Sequence, residues 1–154
     1  ASVDFITAGQ AFHWFDRERA RAEFARILRP RGWVVLAWNG YRVESSSLMA
    51  AYQDLVVRYG TDYSEVTRQT VSCDLESFYA PSICTCARFE FQQVFDFEGL
   101  KGRLLSSSFA PEPDDPRYQP MLRELRVIFD ANQKEGKVIF HYETELYYGQ
   151  LSAK

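Results

Sequence analysis

The sequence predicts an α/β fold in which parallel strands come first and antiparallel strands close the chain. Three observations carry this. Two nearly continuous apolar runs of strand length, SVDFITA at 2–8 and WVVLAWN at 33–39, flank a stretch with helical periodicity. Strands joined through a helix form a βαβ unit, whose strands run parallel in a sheet covered on both sides. Two later runs, RFEFQQVFDF at 88–97 and KVIFHYETELYYG at 137–149, alternate apolar and polar residues at period two, which is more typical of antiparallel pairing.

Taken in order, Val3 to Thr7 is the opening strand and reads as buried on both faces. Asp16 caps a helix over 17–29, where Ala20, Phe24, Ile27 and Leu28 form one apolar stripe. Pro30 stops that helix, because the residue before a proline is pushed out of helical geometry. Arg31-Gly32 makes the turn into the second strand. Ser45 to Ser47 offer caps to a helix running to about Tyr59, with Leu48, Ala51, Tyr52, Leu55 and Val56 inward. From 60 to 81 the pattern weakens to an irregular or short-helical connection anchored by Leu75, Phe78 and Tyr79. In the strand at 88–97, Phe89, Phe91, Phe95 and Phe97 share one face. A helix over 98–107 follows, then the turn-rich PEPDDP at 111–116, then a helix from Pro120 to Gln133 ended by Gly136, with Met121, Leu122, Leu125, Ile128 and Phe129 inward. The last strand places Val138, Phe140, Tyr142, Thr144, Leu146 and Tyr148 on one side. Residues 1–154 are thus read as one domain: a βαβα core over 1–60, a connection over 61–86, and a strand-helix-helix-strand end over 87–154.

Composition narrows the function classes. The 154 residues are 46% apolar and 16% aromatic, enough for a sizeable core. A net charge of −3, from 18 basic and 21 acidic residues that are interspersed, gives no nucleic-acid footprint. No run approaches the ~20 apolar residues that span a bilayer, and residues 1–15 lack the pattern of a signal peptide. Cys73, Cys84 and Cys86 lack Cys-x-x-Cys spacing, and His13 and His141 are far apart, so neither a disulfide framework nor a metal site is expected. A reduced, cytoplasmic protein fits best. The arginines at 17, 19, 21, 26 and 29 are interleaved with Glu18 and Glu23 and read as the solvated face of the first helix.

The order of elements and the residues that follow the first strand carry a resemblance. Val3-Asp4-Phe5-Ile6, then Gln10-Ala11-Phe12-His13-Trp14-Phe15, then Ile27-Leu28-Arg29-Pro30-Arg31-Gly32 and Val34-Val35-Leu36-Ala37-Trp38-Asn39, resemble the class I S-adenosylmethionine-dependent methyltransferases, in particular the small-molecule branch with a His-Trp after its fourth strand. RLLSSSFAPEPDDPRY and the closing Tyr147-Tyr148-Gly149-Gln150-Leu151 resemble the C-terminal half of that branch. Arg31 stands where many relatives have glycine. The resemblance implies a partial Rossmann-like sheet, S-adenosylmethionine as cofactor, and a chain that corresponds to the C-terminal half of the domain. That family places a glycine-rich loop after its first strand. Here the eight glycines form no Gly-x-Gly; Gly99 and Gly102 are the closest pair.

In open α/β sheets, ligands bind beyond the carboxyl ends of the strands, where strand order reverses. By resemblance, Ala8, Gly9 and Gln10 meet the cofactor's methionine end, His13 and Trp14 lie between cofactor and acceptor with His13 as the catalytic candidate, and Trp38, Asn39 and Tyr41 line the acceptor pocket. Each has a structural alternative. His13 could cap the following helix or be satisfied in the core. Trp14 and Phe15 could pack against the helix from Arg17 as a staple. Trp38 could be core, whereas Asn39 at a strand's exit is harder to explain by packing. His141 alternates with Glu143 and Glu145 on an outer face, and Cys84 would be reactive only beside an electropositive neighbour.

The leading expectation is therefore part of a methyltransferase that acts on a small-molecule acceptor and is inactive in isolation. A second is a non-catalytic α+β module that binds an apolar ligand or dimerises through the open first strand. A third is a regulatory or vestigial remnant within a larger complex.

Overall fold

The computed structural model describes residues 1–61 and 74–151. Its four strands, β1 (Val3–Gly9), β2 (Leu28–Tyr41), β3 (Thr85–Phe95) and β4 (Val138–Gln150), form one sheet in the order β1-β2-β4-β3. The first pair is parallel, with Phe5 opposite Trp33 and Gly9 opposite Ala37, and the others are antiparallel. This is the mixed α/β sheet that the sequence predicts. The chain divides into two compact units.

The first unit holds residues 1–40, 74–89 and 143–151. Asp16 caps α1 (Arg17–Ile27) as predicted, its carboxylate accepting from the Arg19 N–H at 3.0 Å. The helix ends two residues early. Leu28, at φ −65° and ψ 136°, is already extended, is buried, and pairs with Val3. Pro30 therefore lies inside β2 and is not the terminator. The register between β1 and β2 shifts beyond that pair, and the extra residues of β2 bulge out with Arg31 at φ +71°. Gly32 follows under close approach, since a Cβ there would stand 3.0 Å from the Arg29 carbonyl oxygen and 3.1 Å from that of Asp4.

The core of this unit is Ala8, Phe12, Leu28, Val34, Leu36, Trp38, Phe78 and Tyr79. Two expectations about burial fail here. β1 is not buried on both faces, since only Ala8 is buried and Phe5 is 64% exposed. In β2, Val34, Leu36 and Trp38 are buried, whereas Trp33 is 36% exposed and Val35 and Ala37 are half-buried. Apolar side chains at every position show what a strand could bury, but the number of layers packed on it decides what is buried.

A short helix, α3 (Leu75–Tyr79), is held by Arg21, whose Nε donates to the Phe78 carbonyl (2.8 Å) and whose Nη2 donates to that of Ala80 (2.6 Å). Arg21 is thus a brace and not part of a solvated face. The Tyr79 hydroxyl lies 3.2 Å from the Val34 carbonyl oxygen and 3.1 Å from that of Tyr147, so its one proton ties α3 to the backbone of β2 or β4. Phe78 and Tyr79 are the anchors expected of the connection. The rest of that expectation, with Cys73, falls on 62–73, outside the described residues.

The second unit holds residues 41–61 and 90–142. Ser46 caps α2 (Ser47–Tyr59) by accepting from the Met49 N–H, and Asp96 caps α4 (Phe97–Leu105) by accepting from Gly99 N–H at 2.8 Å. Leu48, Met49, Tyr52, Leu55 and Val56 of α2 pack in one cluster with Leu100, Leu104, Phe140 and the buried face of α5 (Tyr118–Asn132): Met121, Leu125, Ile128 and Phe129. Met49, fully buried, was not among the predicted inward residues; Ala51, which was, is only half-buried. The period-two phenylalanine set breaks at Asp96. Phe97 begins α4 with its ring 5.5 Å from Phe129, while Phe89 and Phe91 are exposed. Gly136 does not end α5, which stops at Asn132. With Glu135 (φ +53°) it forms the left-handed centre of a tight turn closed by Lys134 and Lys137, the geometry of a two-residue hairpin loop. In β4, Val138, Phe140 and Tyr142 are buried as predicted, but beyond them Gly149 is the buried position and Tyr148 only half-buried.

Candidate functional site

The stretch AGQAFHWF leaves the carboxyl end of β1. Ala8 is buried, and the Gln10 N–H donates to the Ala37 carbonyl at 2.9 Å, carrying the pairing with β2 one residue past the strand. Gln10 then turns at φ +51° and its side-chain amide donates to the Asn39 carbonyl at 2.9 Å. Beside it the flank of Gly9 is open, since a Cβ there would meet nothing within 4 Å. A single 3-10 turn, Phe12–Trp14, follows, closed by Trp14 N–H to Ala11 O and Phe15 N–H to Phe12 O, each at 3.0 Å.

The four aromatic side chains of this turn have different fates. Phe12 is fully buried, with its ring edge-to-face against Phe78 (4.7 Å), Phe15 (5.8 Å) and Trp38 (6.4 Å). Phe15 packs on Phe24 of α1 at 6.4 Å, against the first helix as expected but one turn beyond the N4 position of a hydrophobic staple. His13 is half-buried and does not cap the helix; its Nδ1 accepts from the Trp38 indole N–H at 3.3 Å. Burial pushes its pKa below the ordinary histidine value of 6.5. Trp14 is 60% exposed, its ring 4.9 Å from that of His13.

Of the residues leaving β2, Trp38 is 8% exposed and lies edge-to-face on Tyr147 (5.8 Å) as well as Phe12. The half-buried Asn39 accepts from the Thr144 hydroxyl at 3.3 Å. Tyr41 belongs to the second unit, with its hydroxyl donating to Gln53 (2.7 Å) and its ring on Tyr52 and Phe140. The structure therefore brings Ala8, Gly9, Gln10, His13, Trp14, Trp38 and Asn39 together at the carboxyl ends of the parallel pair. Phe12 and Thr144 join them. Sequence reasoning did not assign either, although Phe12 stands in the same aromatic run.

Elsewhere, an open concavity of about 780 Å³ beside α1, lined by Phe15, Asp16, Arg19, Ala20 and Phe24 among others, includes none of His13, Trp38 or Asn39. Burial raises the pKa of the Cys84 thiol, the opposite of the shift that activates a cysteine. Among the described residues no three His, Cys, Asp or Glu side chains are placed to hold a metal ion, and no helix is long and apolar enough to cross a membrane.

Residues 1–36 match the family model for the methyltransferase domain. An uncharacterized methyltransferase-like protein of Schizosaccharomyces pombe is 47% identical over 146 residues, which cover 93% of this chain and 56% of that protein. An uncharacterized methyltransferase of Mycobacterium tuberculosis is 53% identical over 38 residues, 25% of this chain and 16% of that protein. The chain thus spans little more than half the length of the S. pombe relative. In fold it is similar to a solved candidate type II methyltransferase from Anaeromyxobacter dehalogenans, with a TM-score of 0.70 at 22% identity over 99% of this chain and 67% of that one. Sequence similarity along 93% of the chain, and a shared fold along almost all of it, support a methyltransferase.

Proposed function

We propose that the chain is part of an S-adenosylmethionine-dependent, cytoplasmic methyltransferase of the class I type that modifies a small molecule. Bound S-adenosylmethionine supplies an electrophilic methyl group on a sulfonium. Methyl transfer is an in-line displacement, so the protein's task is to align the reactants and exclude water. The observation that carries the reading is the turn after β1: an open flank at Gly9, a left-handed Gln10 tied to β2, and an exposed Trp14 next to a half-buried His13, all where α/β sheets bind ligands. Ala8, Gly9, Gln10, His13 and Trp14 fit one wall of a cofactor cleft, with Trp14 offering a π face to a cation. Asn39 and Trp38 stand on the acceptor side. Tyr41 is assigned there by resemblance alone.

The other wall is not among these residues. No glycine-rich loop occurs in the sequence, and the match covers only 56% of the S. pombe relative. The 154 residues alone are therefore inactive, and calorimetry should find no micromolar binding of S-adenosylmethionine; micromolar binding would remove the claim that a second wall is needed. With the upstream reading frame restored, methyl-labelled cofactor should pass its label to a small-molecule fraction. Label in protein or nucleic acid instead would contradict the acceptor class.

A second reading is favoured by β1, which is an end strand of the sheet and carries an exposed Phe5. Unpaired strand edges template pairing with another chain. A dimer through β1, in a non-catalytic binding module, would give twice the monomer mass in size exclusion with light scattering, and Phe5→Lys would return it to monomer.

A further inference from the structure

We propose that Trp38 is a positioning residue that holds His13 as its Nε2–H tautomer, so that His13 offers a bound molecule a hydrogen-bond donor and not a proton acceptor. The role toward a bound molecule rests on the methyltransferase reading of this turn; the tautomer does not. An indole nitrogen can only donate, so the His13 Nδ1 that meets Trp38 Nε1 at 3.3 Å must carry its lone pair. In a neutral imidazole the proton is then on Nε2, the partner of one ring nitrogen fixing the state of the other.

The donor itself is immobile. Trp38 is 8% exposed, wedged between Phe12 and Tyr147, and lies in β2 next to Ala37, which pairs with Gly9. Phe12, fully buried, fixes the backbone of the residue before His13. Both ends of the hydrogen bond are thus set by the core. The half-buried imidazole makes no other hydrogen bond among the described residues, which leaves Nε2–H available. Burial, the one cause of its lowered pKa, keeps the ring neutral at pH 7 and so keeps the tautomer defined.

The consequence is a restriction on chemistry. For His13 to act as a general base through Nε2, the proton would have to move to Nδ1 and the Trp38 bond would have to break. As arranged, His13 orients an oxygen or another lone-pair-bearing atom and does not deprotonate it. His13→Gln, whose amide also donates, should then keep more of the complete enzyme's activity than His13→Ala.

The test is long-range ¹H–¹⁵N correlation on the chain, which has two histidines, with His141→Gln used to assign them. The expected result is an Nε2–H pattern for His13, with a rise in the His13 titration midpoint in Trp38→Phe as the donor to Nδ1 is lost. An Nδ1–H pattern in the unsubstituted chain would overturn the proposal, and that measurement stands even if Trp38→Phe does not fold. An unchanged midpoint in a folded Trp38→Phe would overturn it as well. No cofactor enters these measurements, so an absence of methyl transfer and a failure of the tautomer are separate outcomes.

Discussion

Phe12→Ala tests the packing that holds the candidate site. The ring is fully buried and meets Phe78, Phe15 and Trp38 edge-to-face. Truncating a buried phenylalanine costs about 3–5 kcal/mol, the transfer of the ring plus the void left behind. Rigid aromatic neighbours collapse poorly into such a void, so the upper half of that range is expected. Typical domain stabilities are about 5–15 kcal/mol, so the loss is a large fraction of the total. Trp14, Trp33 and Trp38 are the three tryptophans of the chain and all lie in the unit that contains Phe12, so tryptophan emission in a urea titration reports on that unit. With a slope of about 2 kcal/mol/M, a loss of about 4 kcal/mol moves the midpoint by about 2 M. Phe12→Leu, which keeps much of the volume, should cost about 1.5 kcal/mol or less. A Phe12→Ala midpoint within about 0.3 M of the parent's would refute the view that this ring anchors the turn.

Two further outcomes follow. Arg31 sits at φ +71°, where an L side chain is strained by roughly 1–2 kcal/mol and glycine is not, while its carbonyl accepts from Gln150 through the backbone alone. Arg31→Gly should therefore raise the melting temperature by a few degrees after the entropy of the added glycine is deducted; a lower value would show that the arginine side chain contributes more than the strain costs. Partial burial lowers the His13 pKa, so the unfolded chain binds a proton there at a higher pH than the folded chain does. Its contribution to stability is intact above pH 6.5 and is lost as pH falls through the lowered folded value, and His13→Gln should flatten stability against pH in that window.

Much of the architecture was legible because its determinants are local. Asp16 and the serines at 45–47 mark two helix starts by the chemistry of capping alone, and the stripes of α2 and α5 identify the buried faces that pack in one core, whereas the Asp96 cap of α4 is not assigned from the sequence. The parallel pairing of β1 with β2 followed from strand length and the intervening helix. What failed was non-local. Arg21 looks like its solvated neighbours until α3 arrives from 57 residues away to accept its hydrogen bonds. The end of α1 was misplaced because proline is a strong local signal, whereas the pairing of Leu28 with Val3 depends on register. The polar contacts of the site span 25 residues for His13 with Trp38 and 105 for Asn39 with Thr144, and no periodicity carries such information. The residue types of the site were visible; their partners were not.

The burial of neighbouring side chains separates what holds this turn from what the turn presents. Phe12 and Trp38 are removed from water and contact one another, so both belong to the packing that holds the turn, and Trp38 in addition donates to His13. Trp14 is a different case. Its ring is 60% exposed on a segment already fixed by Phe12, by Phe15 against Phe24 and by two backbone hydrogen bonds, so removing it from the core inventory changes little. A tryptophan that is 60% exposed gains less hydrophobic transfer energy than a buried one, and its ring partner among the described residues is His13, tilted at 48°. A rigid exposed ring beside a neutral imidazole with a free N–H is a poor way to stabilise a fold but a good way to meet a flat or cationic group. The contrast with the buried Phe12 supports the proposed reading, in which Trp14 and His13 serve recognition.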